Sequence, residues 1–340
     1  MKSCMISVRN SIFDVSDRAT LDTNDANLAS ILGADKHFWC GERDLSKFDG
    51  YEMFCFTMTK IKEAYENEWM ELITLLRNKY GSSIKITVYQ EAEVDWVIKR
   101  SIEEQTRFIK ILRSIDVFFA HNSADAPFFK YLAPNTTVIP VPSPINFQRI
   151  QRFASNTQAK LNSPVKEIIF GSSFDDRSYG LFGYAVGAEL KRLYGEKVKL
   201  TQFHRTDWKD GRTEKIREAV GVDFEILPHM GWLDYAERIS KCYLMMNLMP
   251  AAAAGRDAII CAAMDIPHIG NKRLEIIQYS PSSVDVFDLE QALLAARVLI
   301  DSQEIYTNTL KRQREELVNH SLDAVRKYLT PKLKEIGISI

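Results

Sequence analysis

Short apolar runs and longer stretches of helical periodicity alternate along this chain. The run "YEMFCFTM" (51–58) is apolar and aromatic, the composition of a buried strand. In "KEAYENEWMELITLLRNKYG" (62–81), Trp69, Met70, Ile73 and Leu76 recur at helical spacing, and Gly81 supplies a C-terminal stop. "KITVYQEAE" (85–93) predicts the next strand. "SIEEQTRFIKILRSI" (101–115) predicts a helix with Ser101 as N-cap and Glu104 completing a capping box. "DVFFAHN" (116–122) and "TTVIPVPSP" (136–144) predict two more strands. This order predicts a parallel sheet with right-handed crossovers.

The pattern then breaks. "VIPVPSPIN" is rich in proline, and the polar segment "QRFASNTQAKLNSP" (151–164) follows with the composition of a linker. A domain boundary is expected near 145–160. Beyond it the alternation restarts. "KEIIFGSS" (166–173), "VKLTQFH" (198–204), "DFEILPHMG" (223–231), "YLMMNLMP" (243–250) and "IPHIGN" (266–271) predict strands. "YGLFGYAVGAELKRLYG" (179–195), "GRTEKIREAVG" (211–221), "WLDYAERISKC" (232–242) and "DAIICAAMD" (257–265) predict helices. After 289 the pattern is helical, while residues 1–50 are the least legible. The expected fold class is α/β, with two doubly wound Rossmann-like domains facing a cleft. The division is 1–147, 148–285, and C-terminal helices 286–340 packing back towards the first domain.

Length and composition narrow the picture. The 340 residues fit two domains of about 150 residues each, and 46% hydrophobic residues supply the cores. A net charge of −1 gives no argument for nucleic acid or an anionic membrane. Five cysteines without a CxxC pair read as reduced core residues. The six histidines show no metal-ligand spacing. The start "MKSCMISVRNSIFD" lacks a signal-peptide apolar run, and no window reaches the length of a membrane span. The expectation is a cytoplasmic protein.

In doubly wound sheets ligands sit beyond the carboxyl ends of the strands, so the chemistry is sought there. "FGSSFDDRSYG" (170–180) joins a strand to a helix. Gly171 permits close backbone approach, Ser172 and Ser173 offer donors, and Arg177 precedes a helix N-terminus that attracts anions. "PAAAAGRDAIICAAMDIPHIGN" (250–271) is the last such loop, with Gly255 opening a helix and Arg256 beside it. His204 and Arg205 end another strand. Met230 and Gly231 form a turn suited to a planar base. In the first half, Gln90, Glu91 and Glu93 follow one strand, and His121, Asn122 and Asp125 follow the next. Glu91 and Glu93 are candidate bases or hydroxyl ligands, and His121 is a candidate hydrogen-bond partner for a substrate oxygen. No GxSxG, Walker A or GxGxxG sequence is present.

From about 85 to 275 the order of elements resembles a GT-B-type glycosyltransferase, nearest the retaining, glycogen-synthase-like sugar transferases. "TTVIPVPSPIN", "IIFGSSFDDRSYG", "ILPHMGWLDYAERISKCYLMMNLMP" and "PAAAAGRDAIICAAMDIPHIG" carry the likeness. In that family an Arg and a Lys five residues apart occupy the phosphate loop; here those places are Ser172 and Arg177. The donor loop's two glutamates fall on Ala252 and Ile260, and the glycine before the proline falls on Asp265. The first of those acids binds donor-sugar hydroxyls and the second holds the ribose. Their loss leaves three readings: an unusual or deoxygenated donor sugar, hydroxyls held by another loop, or lost donor turnover.

The resemblance implies metal-independent transfer of a sugar from a nucleotide-diphosphate donor, with no cofactor required. The acceptor is undefined: a glycan, a small molecule or a modified base. Arg177 with Ser172 and Ser173 would stabilise the leaving diphosphate, and His121 and Glu91 would serve the acceptor side. Gly171, His204, Arg205, Met230, Gly231, Gly255 and Arg256 complete the expected nucleotide site. One alternative is a non-catalytic nucleotide- or nucleotide-sugar-binding protein on the same scaffold. Another is a transferase acting on modified DNA bases, which the even charge balance does not support.

Overall fold

The computed structural model describes residues 1–7, 24–39, 41, 43–58, 63–90, 94–171, 180–203, 215, 218–219, 221–228, 230–248, 255–274, 281–285 and 287–340. The chain forms two compact units. Unit 1 is built on Met1–Asn146 and the C-terminal Asn319–Ile340; unit 2 is built on Phe147–Ala251 and Gly255–Val318. Each is a parallel sheet wrapped by helices, as the strand–helix alternation predicts.

In unit 1 the strands are β1 (Ser3–Ser7), β2 (Asp35–Phe38), β3 (Met53–Met58), β4 (Lys85–Gln90), β5 (Val117–Ala120) and β6 (Thr137–Pro140). Their order in the sheet is β2-β1-β3-β4-β5-β6, and every pairing is parallel. A sheet covered on both faces needs strands that are apolar throughout. All six residues of β3, MFCFTM, are accordingly buried. On one face, Phe54, Phe56, Val88 and Phe118 pack with α2 (Glu63–Tyr80), α4 (Ile102–Arg113) and α5 (Ala126–Leu132) through Trp69, Leu72, Phe108 and Phe129. On the other, Met5, Cys55, Tyr89 and Phe119 meet Leu28 and Ile31 of α1 (Asn24–Leu32) and Leu329 and Leu333 near the C-terminus. The short α3 (Val94–Ile98) lies between β4 and α4. The capping box at Ser101 is formed, with both hydrogen bonds present.

Unit 2 begins with α6 (Phe147–Gln151) and α7 (Thr157–Asn162). This corrects the linker reading of 151–164. The segment is polar, yet Ile150 and Leu161 are buried and Asn156 caps α7 by accepting from the amides of Gln158 and Ala159. Two buried side chains suffice to dock such short helices, too few to show as a periodicity. The sheet follows as β7 (Lys166–Phe170), β8 (Val198–Phe203), β9 (Glu225–Leu227), β10 (Leu244–Asn247), β11 (His268–Asn271) and β12 (Ser283–Val284). Its order is β12-β11-β10-β7-β8-β9, again wholly parallel. Helices α8 (Gly180–Tyr194), α9 (Trp232–Ser240), α10 (Arg256–Ala263), α11 (Leu289–Asp301) and α12 (Gln303–Leu317) belong to this unit. Phe170, Leu200, Leu244, Met246 and Ile269 form a core with Tyr184 and Leu190 of α8, Ala292 and Leu299 of α11, and Tyr306 and Leu310 of α12.

The terminal helices divide between the units. Helices α11 and α12 lie in unit 2, whereas α13 (Leu322–Glu335) lies in unit 1. Arg326 of α13 donates to the carbonyls of Ile31 and Ser30, at 3.0 and 2.8 Å. The strand expected over 223–231 is only β9, and most of the helix expected over 211–221 lies outside the described residues. Elements β1, α1 and β2 fill the part of the sequence that was least legible. Cys4, Cys55, Cys242 and Cys261 are free and buried, as core thiols should be. No helix among the described residues is long and apolar enough to cross a membrane.

Candidate functional site

Unit 2 carries the clearest constellation. Its chain runs outward from β7 through β8 to β9, then returns to the other side of β7 for β10, β11 and β12. The order therefore reverses between β7 and β10, the point outside whose carboxyl ends open α/β sheets bind their ligands. Gly171 and Asn247 meet at this point. The Gly171 amide donates to the Met246 carbonyl at 2.7 Å, and the Gln202 side-chain amide donates to the Gly171 carbonyl at 3.1 Å. A Cβ placed on Gly171 would stand 2.7 Å from Cγ and 2.8 Å from Nδ2 of Asn247, so only glycine fits. The Asn247 amide is held in turn, donating to the Asp257 carboxylate at 3.0 Å.

Asp257 lies in the first turn of α10, whose N-cap Gly255 has φ 76° and ψ 49° and makes no side-chain cap. A left-handed N-cap without a capping oxygen suits glycine and leaves the first-turn amides to other partners. The turn before α9 lies in the same unit. Gly231 is its N-cap, exposed, with φ −61°, and its carbonyl accepts from Tyr235 at 2.9 Å. Met230 beside it is half-buried. Burial first, and the Asp257 carboxylate second, hold the Tyr235 hydroxyl well above its ordinary pKa.

Unit 1 carries a different kind of edge. Gln90 ends β4 and is fully buried, and neither its Nε2 nor its Oε1 has a partner among the described residues. His121 immediately follows β5 and is 8% exposed, with no partner for Nδ1 among the described residues. The turn that carries it is well tied. Asn122 donates to Asp125 Oδ2 at 3.0 Å and accepts from the Asp125 amide at 2.8 Å. Asp125 also accepts from the Val94 amide at 2.8 Å. Asn122 and Asp125 thus join the loop after β5 to the start of α3. No group of three or more His, Cys, Asp or Glu among the described residues is placed to hold a metal ion.

No protein-family model matches the sequence, and no curated protein sequence does either. Solved structures match over nearly the whole chain. The HepE protein of Anabaena in complex with UDP superposes with a TM-score of 0.71 at 9% identity, covering 98% of this chain and 100% of that one. The trehalose-6-phosphate synthase OtsA gives 0.68 at 12% identity, covering 98% and 99%. The sucrose-phosphate synthase of Thermosynechococcus elongatus gives 0.68 at 13% identity, also covering 98% and 99%. This chain has the GT-B fold.

On the GT-B frame the expected residues separate into three groups. Gly171, Gly255, Met230 and Gly231 lie at strand or helix ends of unit 2, and His121 lies at a strand end of unit 1. Glu91, Glu93, Ser172, Ser173, Arg177, His204, Arg205, Ala252 and the Arg256 side chain lie outside the described residues. The third group holds the places where the GT-B resemblance put other residue types. Ile260 is a core residue at 5% exposure. Asp265 keeps a glycine-like backbone, φ 58°, which aspartate tolerates better than most side chains. Its carboxylate accepts from Arg314 Nε at 2.6 Å and its carbonyl from Lys160 at 3.1 Å. The residues not singled out from sequence are Asn247, Gln202 and Asp257. For Asn247 and Gln202 the one sequence signal is a lone amide inside an apolar strand, as in "YLMMNLMP"; Asp257, in the first turn of a helix, carries no such signal.

Proposed function

We propose that this GT-B protein is a glycosyltransferase that moves a sugar from a nucleotide-diphosphate donor, bound by unit 2, to an acceptor bound by unit 1. The observation that carries the reading is the approach of Gly171 to Asn247 at the order reversal of unit 2. It opens the strand end beside the uncapped α10 N-terminus, whose amides favour negative charge. The diphosphate would sit there. Ser172, Ser173 and Arg177 would follow directly from Gly171, with Arg256 a second cation. Met230 and Gly231 would face the base, with His204 and Arg205 on the neighbouring strand end. Bond cleavage leaves negative charge on the departing diphosphate, and fixed amides and a guanidinium stabilise that charge without a covalent step. His121 and Glu91 would orient the acceptor hydroxyl and receive its proton. UDP is the first nucleotide to try, because it is bound by HepE.

The second reading is a nucleotide- or nucleotide-sugar-binding protein without turnover. The burial of an isoleucine at position 260 favours it, since that place offers no oxygen to a donor. A thermal-shift series with UDP-, GDP-, ADP-, CMP- and dTDP-sugars separates these outcomes. A selective ligand at about 100 times its Kd should stabilise by about 2.7 kcal/mol. Arg177→Ala should weaken that shift and, for a transferase, abolish release of the nucleotide diphosphate. Binding without release selects the second reading. No shift with any nucleotide sugar refutes the donor site altogether.

A further inference from the structure

The turn between β12 and α11 carries a residue that its backbone does not suit. Among the described residues, the non-glycine positions with positive φ are Asp265, at 58°, and Phe287, at 67°. Aspartate tolerates that region, whereas an aromatic side chain meets a steric cost there that glycine avoids. The turn fixes Phe287 from both sides. The Asp288 amide donates to the Asp285 carbonyl and the Leu289 amide to the Phe287 carbonyl, both at 3.1 Å. The Asp285 amide donates to Gln291 Oε1 at 2.6 Å, and the Gln291 amide to Asp288 Oδ1 at 2.9 Å. Burial does not explain the ring either, because Phe287 is 59% exposed. It meets Phe182 of α8 with ring centroids 5.0 Å apart and planes at 55°. A strained, exposed aromatic residue held by an over-determined turn points to a binding element.

The ring stands at a shallow recess beyond the carboxyl ends of β11 and β12. Phe182, Val284 and Phe287 give it apolar walls, and Asn271, Asp285 and Asp288 polar ones. Asn271 is buried, and both aspartates are exposed. We propose that this recess is a carbohydrate-binding site, with the Phe287 ring as the platform for the C–H face of a sugar and Asp285 and Asp288 accepting from its hydroxyls. An aromatic face carries partial negative charge and attracts C–H groups. An ionised carboxylate only accepts, through about four lone-pair positions. Asp288, which holds the Gln291 amide, and Asp285, which pairs with Lys272, therefore keep capacity for hydroxyl donors. The edge of a nucleobase suits them less, since it brings acceptors as well as donors. β12 lies two strands from β10, about 10 Å to the side of the order reversal where the diphosphate is proposed to sit. The recess is thus a second site, and it does not rest on the donor reading.

The test uses the full chain. Saturation-transfer NMR is recorded with maltotriose, cellotriose, lactose, N,N′-diacetylchitobiose and L-argininamide. The expected result is binding of at least one saccharide, weakened about tenfold by Phe287→Gly, kept by Phe287→Trp and unchanged by saturating UDP. Glycine adopts φ 67° without strain, so Phe287→Gly should melt no lower than wild type. Asp285→Ala removes only an exposed ion pair with Lys272, and it should weaken the saccharide about fivefold at an unchanged melting temperature. The proposal is overturned if no saccharide binds, if Phe287→Gly or Asp285→Ala binds it like wild type, or if UDP displaces it, which would put the sugar in the donor site. Stronger saturation of L-argininamide than of every saccharide also overturns it, because the recess would then be a cation site.

Discussion

His268 on β11 gives the most quantitative expectation. The ring is fully buried, and neither nitrogen has a partner among the described residues. Burial lowers its pKa from 6.5 to about 3, so the folded protein holds it neutral at any ordinary pH. Once unfolded, the ring takes up a proton below about pH 6.5. The unfolded state therefore binds more protons, and stability falls as pH falls between 6.5 and 3. At about pH 5 the loss spans roughly 1.5 pH units at 1.36 kcal/mol each, about 2 kcal/mol relative to pH 7.5. For a unit of this size that is a drop of about 4–8 °C in Tm. The perturbation is His268→Leu, which removes the titration and breaks no side-chain hydrogen bond. At about pH 7.5 the variant should lie within about 1.5 kcal/mol of wild type. Urea unfolding of both proteins at the two pH values supplies the double difference, in which every other titrating group cancels. A variant with the same pH loss as wild type would refute the argument. So would a strong destabilisation at pH 7.5, which would mean that the ring nitrogens have partners after all.

Two further outcomes follow from the geometry. Gly171→Ala forces a methyl to within 2.7 Å of Asn247, so nucleotide affinity or donor release should fall at least about tenfold, and Asn247→Gly in the same chain should recover part of it. Glu167 is part-buried and linked to Arg238 and Thr201; burial raises its pKa, but the hydrogen bonds from Arg238 and then Thr201 outweigh it and hold the carboxyl below its ordinary value. Arg238→Met should therefore cost about 2–3 kcal/mol in urea unfolding at neutral pH, and less at acidic pH where Glu167 is protonated in both states.

The alternation of apolar runs and helical stretches by itself determined the α/β class and the parallel sheets, because burial on both faces demands strands such as MFCFTM that are apolar throughout. The Ser101 capping box was legible for the same reason, being a contact between residues three apart. Gly171 and Gly255 could be chosen because a strand–glycine–helix junction is also local.

Tertiary structure decided the rest. Asn247 matters only because the strand order reverses beside β7, and that places it against a glycine 76 positions away. The helices α6 and α7 hold their place through the burial of Ile150 and Leu161, which no local pattern reveals. The division of the C-terminal helices depends on α13 docking its Arg326 onto α1, nearly 300 residues earlier. Most of all, the sequence shows that Gln90 and His268 are polar but not that, once buried, their side chains lack partners among the described residues. Satisfaction of a buried group depends on everything packed around it, and that only the folded chain decides.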